Sequence, residues 1–292
     1  MSQISVIIPC YNTAAFLPRC LDSLLAQDFA DWEAVCVDDG STDGSAALLD
    51  AYAERDSRFR VIHQPNAGMS AARNVALATV RTPFLLFLDS DDFLHPQTMS
   101  LCHRLAERDG SDLVTYTYDH AYRSRSFVRQ LLHLPELRKI RFRPYIEPET
   151  RLVDDLLQQA TEYSHAGPGQ DPRWLVKHCY VTHALFRTEC VRDIPFLPLR
   201  VYEDFPWWGE VLRRVRKATI LNLPLYFYCP NAHSIILHAR QDVKVESLRT
   251  ALRVAQEIFR DEAPERRTLW ERNFLRPFQE KLARKERGLK KI

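Results

Sequence analysis

From Ile4 to Tyr116 the chain repeats one unit, a short apolar run followed by a stretch with apolar residues at helical spacing. Residues 4–8, 32–37, 60–63, 84–88 and 113–116 read as buried strands, being rich in β-branched or aromatic residues. Helices are predicted between them at residues 16–25, 45–55, 69–80 and 96–108. In the first of these, Phe16, Cys20, Leu21, Leu24 and Leu25 share a face. Strands and helices alternating at this spacing close as right-handed βαβ units, so an α/β fold with a Rossmann-like, mainly parallel sheet flanked by helices is expected.

Beyond Asp119 the pattern loosens. Residues 123–143 are basic, a helix is predicted over 149–160, and 162–174, with Gly167-Pro168-Gly169, read as a loop. A strand at 180–186, a helix at 205–216 and short strands at 219–221 and 225–229 follow. After Gln241 the chain turns helical, with Val245, Leu248, Leu252 and Phe259 at helical spacing. Three segments are expected: 1–118, 119–240 and a helical extension at 241–292. A length of 292 residues is near the upper limit for one core.

In an open parallel sheet, ligands bind beyond the carboxyl ends of the strands. Here the first strand ends in Pro9-Cys10-Tyr11-Asn12 and the second in Asp38-Asp39-Gly40-Ser41. The third leads into Asn66-Ala67-Gly68-Met69-Ser70, and the fourth ends in Asp89-Ser90-Asp91-Asp92. Four polar strand ends in a row mark that edge as the site. Asp89 and Asp91, two residues apart in extended chain, project to one side. Two close carboxylates repel unless a cation or proton lies between them, and oxygen ligands without His or Cys suit Mg²⁺ or Mn²⁺. Taken alone, D-x-D reads equally well as helix capping ahead of Pro96. Asp39 offers a carboxylate to a base or ribose, and equally a turn that caps the next helix. Ser70 opens a helix whose first turn offers N–H groups to a phosphate, with Arg73 one turn on. Glu203 and Asp204 precede Phe205-Pro206-Trp207-Trp208, where Asp204 serves as an N-cap, a general base, or both.

The formal charge of +2 argues against nucleic acid as a partner. No apolar run approaches bilayer length and no signal-peptide pattern opens the chain, so a cytoplasmic protein is expected. Cysteines 10, 20, 36, 102, 179, 190 and 229 form no C-x-x-C pair and read as reduced core thiols. The absence of G-x-G-x-x-G after the first strand counts against a dinucleotide oxidoreductase.

Together S-V-I-I-P-C-Y-N at 5–12, V-D-D-G-S-T-D at 37–43, N-A-G-M-S-A-A-R-N at 66–74 and F-L-D-S-D-D at 87–92 resemble glycosyltransferase family 2, whose members have the GT-A fold. The resemblance implies an inverting, metal-dependent enzyme that takes a sugar from a nucleotide-diphosphate donor, most often a UDP-sugar. The acceptor would be a hydroxyl of a glycan or lipid-linked glycan, as in cell-surface polysaccharide or lipopolysaccharide synthesis. By motif position, Pro9 and Asp39 would contact the base, Asp89 the ribose, and Asp91 the Mn²⁺ or Mg²⁺. Tyr11, Asn66, Ser70, Arg73 and Ser90 belong to the same donor-binding motifs. Asp204 matches the family's catalytic base, and Glu203, Trp207 and Trp208 are acceptor candidates, the indoles by stacking on sugar rings. The usual S-I-T after the last strand is here Ser234-Ile235-Ile236. His233 and His238 in that segment are either solvated or extra metal ligands.

Residues 265–292 carry ten Lys or Arg against four Glu, with Trp270, Phe274, Phe278 and Leu282 every fourth position and a bend expected at Pro277. Such a helix either docks its aromatic stripe on the body or lies on an anionic membrane as a peripheral anchor. Two rival functions remain at this level. A sugar-phosphate nucleotidyltransferase would need a glycine-rich, arginine-bearing loop after the first strand, which is not there. A non-catalytic nucleotide- or glycan-binding protein would differ only in lacking turnover.

Overall fold

The computed structural model describes residues 2–120, 149–153, 180–232 and 234–289. Two compact units are built from interleaved segments. The first comprises Met1–Thr150, Thr182–Asp193 and Lys217–Asn231; the second comprises Arg151–Val181, Ile194–Arg216 and Ala232–Ile292.

The first unit opens with β1 (Ile4–Cys10), α1 (Leu17–Leu25), β2 (Trp32–Asp38), α2 (Ser45–Arg55), β3 (Phe59–His63), α3 (Met69–Thr79) and β4 (Phe84–Phe87). The strands run parallel in the order β3-β2-β1-β4. All seven residues of β1 are buried, as a central strand covered on both faces requires. Its one internal polar side chain, Ser5, is bonded to Glu33 and Thr82 at 2.7 Å each. Helix α1 buries Leu17, Cys20, Leu21 and Leu24, one stripe of a 3.6-residue period. Each large aliphatic side chain so covered contributes roughly 1.5–3 kcal/mol.

The sheet continues through β5 (Phe93–Leu94), α4 (Thr98–Asp109), β6 (Leu113–His120), β7 (Glu149–Leu152), β8 (Ala184–Arg187), a short α5 (Thr188–Val191) and β9 (Lys217–Tyr228). The order extends as β4-β8-β6-β9-β5, with β7 paired to β9 off this path. β8 is antiparallel to both β4 and β6, whereas β9 is parallel to β6.

Three expectations change here. The helix predicted over 149–160 begins as strand β7, and residues 154–160 lie outside the described residues, as do 123–143 and the loop at 162–174. The run at 180–186 opens as a 3₁₀ turn, Val181–His183, before β8. The two short strands at 219–221 and 225–229 are one strand, β9, which passes through Pro224. Proline cannot donate to a ladder, and the register against β6 shifts on either side of the Thr117–Pro224 pair.

The second unit contains α6 (Asp204–Arg214), α7 (Ile235–His238), α8 (Gln241–Ile258), α9 (Pro264–Trp270) and α10 (Arg276–Leu289). Its core is aromatic. Trp270 stacks on Phe259 with ring centroids 4.3 Å apart, and Phe205 lies against both Phe274 and Phe278. Gly209 makes this possible, because a Cβ there would sit 3.2 Å from the Phe274 ring. Between α9 and α10 a π-helical segment, Glu271–Leu275, precedes Pro277, so the bend expected at the proline takes the form of a widened turn. Trp270, Phe274 and Phe278 thus pack within this unit, and the stripe is not a face held open for a bilayer. Among the described residues, no helix is long and apolar enough to cross a membrane.

Candidate functional site

The carboxyl ends of β1 to β4 carry four polar loops, and the structure fastens them to one another. Asn12, at φ 53°, receives its backbone contact from the second loop: its N–H donates to Ser41 Oγ at 3.1 Å, and its Oδ1 accepts from Thr42 N–H at 2.8 Å. Thr13 N–H donates to Ser45 Oγ, and the Thr13 hydroxyl donates to Ser90 Oγ, both at 3.0 Å. Asp43 accepts from Ser45 and from Ala14 N–H. Burial pushes its carboxyl up, but these hydrogen bonds outweigh burial and hold it below the usual range.

Asp39 is buried, with both oxygens engaged. Oδ1 accepts from Gln64 Nε2 and Ala67 N–H, and Oδ2 from Gly68 N–H, at 2.7–2.8 Å. It therefore fastens the loop after β3. Gly40 beside it has φ +73°, and an added Cβ would lie 2.9 Å from Asn66 N. His63 bridges Asp38 and Asp50, at 3.1 Å and 3.0 Å, and these two bonds raise its pKa above the usual histidine value.

Of the other donor candidates, Pro9 is buried in β1 opposite Val37, whereas Tyr11 and Asn66 are exposed at the rim. Ser70 is buried in the first turn of α3, and its hydroxyl has no hydrogen-bond partner among the described residues. Arg73, on the same helix, is buried and donates to Asp89 Oδ1 at 3.0 Å.

The turn after β4 divides its three carboxylates. Asp89 is a third exposed and paired with Arg73. Asp91 is half-buried, accepts from Asn231 Nδ2 at 2.9 Å, and has its backbone carbonyl held by Arg19. Asp92 turns inward, where it accepts from the Tyr226 hydroxyl and, at 2.7 Å, from Cys229 N–H. It ties the turn to the end of β9 and caps no helix. Burial and then the charge of Asp89 push the Asp91 carboxyl above the usual range; burial and its two neighbours push Asp92 further. Concentrated negative charge of this kind is relieved by a cation.

The residues fit a divalent metal of one kind only. Among the described residues no three His, Cys, Asp or Glu side chains converge as a cage. Asp91, with Asp89 two residues away, supplies the hard oxygen donors that Mg²⁺ and Mn²⁺ take when most of their shell comes from water and phosphate. His233 lies outside the described residues, and His238 is exposed and bonded to Ala232 O.

In the second unit Asp204 begins α6, half-buried, with Oδ2 accepting from Val181 N–H at 3.4 Å. Two residues earlier Tyr202 has φ 67°, a left-handed conformation uncommon outside glycine and often found beside functional groups. Glu203 is half-buried. The acceptor roles considered for Trp207 and Trp208 do not suit their positions, because both indoles are core residues at 2% and 1% exposure. Trp207 donates to Ile194 O and stacks on Phe196 with centroids 4.8 Å apart. Adjacent positions on a helix differ by about 100°, so burying both means that α6 is covered over a wide arc.

The sheet order and its flanking helices are those of the GT-A fold. They match Staphylococcus aureus TarS in complex with UDP-GlcNAc at TM-score 0.65 and 20% identity, covering 94% of this chain and 79% of that one. They also match the mannosyltransferase PcManGT from Pyrobaculum calidifontis, in complex with GDP-Man and Mn²⁺, at TM-score 0.60 and 16% identity, over 96% of this chain and 69% of that one. In sequence, EpsJ of Bacillus subtilis strain 168, an uncharacterized glycosyltransferase, is 30% identical over 235 residues, 80% of this chain and 62% of EpsJ. The chain thus spans less than two thirds of that relative's length. Residues 5–192 match the Glycosyl transferase family 2 profile, and the chain belongs to that family.

Two contributors to the site have no local signature in the sequence. Asn231 reaches Asp91 from 140 positions away, and a lone asparagine after a strand has no pattern to betray it. Thr13 sits between motifs and matters only through the partners that folding gives it.

Proposed function

We propose that the protein is an inverting glycosyltransferase that moves a sugar from a nucleotide-diphosphate donor, a UDP-sugar, to a hydroxyl of a glycan or lipid-linked glycan in polysaccharide synthesis. One observation carries this: Asp89 and Asp91 stand at the carboxyl edge of a parallel sheet, with the Asp91 carboxyl raised by burial and by its neighbour. That edge is where a nucleotide binds in such sheets, and the charge there calls for a cation and a polyanion together.

The exposed rim residues Tyr11 and Asn66, the loop fastened by Asp39, and the Asp89 carboxylate would hold base and ribose. The Ser70 hydroxyl, without a partner among the described residues, and the first turn of α3 suit a diphosphate oxygen. Asp91, with Asp89, would hold Mn²⁺ or Mg²⁺, which when bound supplies positive charge against the departing diphosphate. The complexes of TarS with UDP-GlcNAc and of PcManGT with GDP-Man and Mn²⁺ support a nucleotide-sugar donor and a divalent metal. Asp204 takes the proton from the acceptor hydroxyl as its oxygen attacks the anomeric carbon from the face opposite the leaving group. Glu203, next to it in sequence, would contact the acceptor.

The test is transfer itself. Purified protein, Mn²⁺ and a panel of nucleotide sugars are incubated with glycan acceptors, and product is followed by mass. Asp204→Asn should retain donor binding and lose transfer by a factor of about 10² or more, the usual worth of a general base. Transfer by Asp204→Asn at the wild-type rate would remove the base assignment. Wild-type protein that binds no nucleotide sugar would remove the function.

A further inference from the structure

Among the described residues one side chain donates to the Asp91 carboxylate, and it comes from just beyond the end of β9. Asn231 Nδ2 donates to Asp91 Oδ2 at 2.9 Å from a residue only 8% exposed. We infer that Asn231 is a positioning residue for Asp91, fixing the metal-side carboxylate in one orientation; this rests on the function proposed above.

The contact is a built one. The end of β9 and the residue after it are fastened to the same aspartate-rich turn twice more, through the Tyr226 hydroxyl and Cys229 N–H on Asp92. Pro230 then restricts both its own φ and the conformation of Cys229, so Asn231 leaves the strand along a fixed path. From the other side Arg19 holds the Asp91 backbone carbonyl at 3.0 Å. Backbone and carboxylate of Asp91 are therefore gripped separately. Among the described residues no other side chain donates to that carboxylate.

The chemistry of the amide suits this task. It is a neutral donor: it orients the carboxylate without cancelling the charge that attracts a metal. A lysine at this position would occupy the cation's place with its own charge, and an aspartate would repel Asp91. Groups that orient a ligand in this way commonly change metal affinity by about 10–100-fold when removed.

The experiment measures Mn²⁺ binding at saturating UDP, from the loss of the free-ion electron paramagnetic resonance signal. It compares wild type, Asn231→Ala and Asn231→Leu, the last keeping side-chain volume while removing the donor. Metal-free UDP binding in chelator and thermal melting are measured alongside. Both variants should bind Mn²⁺ about 10–100-fold more weakly, with metal-free UDP binding unchanged. Excess Mn²⁺ should restore transfer to near the wild-type kcat. Unchanged Mn²⁺ affinity in either folded variant would overturn the inference, since a leucine that preserves affinity reduces the asparagine to packing. Wild-type protein that takes up no Mn²⁺ beside UDP would instead bring down the metal reading on which the inference stands.

Discussion

The Arg73 guanidinium, 2% exposed, donates to an Asp89 carboxylate that is one third exposed, across 3.0 Å. The pair joins α3 to the end of β4, so two of the rim's loops share one ion pair. Arg73, expected at a phosphate, serves first to aim the carboxylate assigned to the ribose.

Asp89→Ala should therefore destabilise the fold as well as weaken donor binding. Withdrawing the carboxylate from a buried guanidinium costs about 3 kcal/mol, less where solvent reaches one partner. Asp89→Asn, which keeps an acceptor oxygen, should cost less. Urea midpoints order the two variants, and equal midpoints would contradict the pairing.

Gly40 and Gly68 separate two kinds of strain. Both have positive φ, but among the described residues a Cβ at Gly40 would meet backbone, 2.9 Å from Asn66 N, whereas one at Gly68 would meet nothing within 4 Å. Alanine at either site suffers a positive φ that L side chains rarely adopt, roughly 1 kcal/mol or more. Gly40→Ala should be the more destabilising and should also weaken nucleotide binding by shifting the loop after β3. Melting temperatures in the reverse order would refute this.

Tyr226→Phe takes one of two donors from the buried Asp92 carboxylate while Cys229 N–H remains. An acceptor left short of a partner in a buried place costs about 1–3 kcal/mol. Because Asp92 only anchors the turn, the variant should melt earlier yet bind nucleotide normally once folded. Loss of nucleotide binding without loss of stability would place Asp92 in the site itself.

His63 gives a pH signature. Hydrogen bonds to Asp38 and Asp50 raise its folded pKa above the ordinary value of 6.5. Its stabilisation is therefore complete below that value and is lost as pH climbs through the raised one. Wild type should exceed His63→Gln in urea midpoint at about pH 5.5, and the gap should close by about pH 9. A gap that widens with pH would reverse the assignment.

Much of this was legible because β1 to β4 obey strong local rules. Apolar runs, helical spacing and polar strand ends lie within a few residues of one another, and Asp89, Asp91 and Asp39 announce themselves by position. The remainder depends on distance in the chain. β9 looked like two strands because Pro224 breaks the local pattern, whereas its pairing with β6 absorbs the break in a register shift. β5 is two residues long, too short to show a period. The return of residues 182–193 and 217–231 to the first unit follows from pairing with β4 and β6, which no local spacing encodes. Trp207 and Trp208 beside an aspartate suggested a sugar platform, but the core around Phe196 and Phe205 claimed them.

The π-helical segment Glu271–Leu275 has a consequence for side-chain phase. In a regular α-helix, four residues overshoot a full turn, so aromatics at every fourth position wind slowly around the axis. A wider turn undershoots, and one such turn subtracts the accumulated drift. Trp270, Phe274 and Phe278 can then all point inward across a proline that would otherwise swing the last of them away. Deleting one residue between Trp270 and Phe274 would let the segment close as a regular α-helix, with the aromatic positions at i, i+3 and i+7 still on one face.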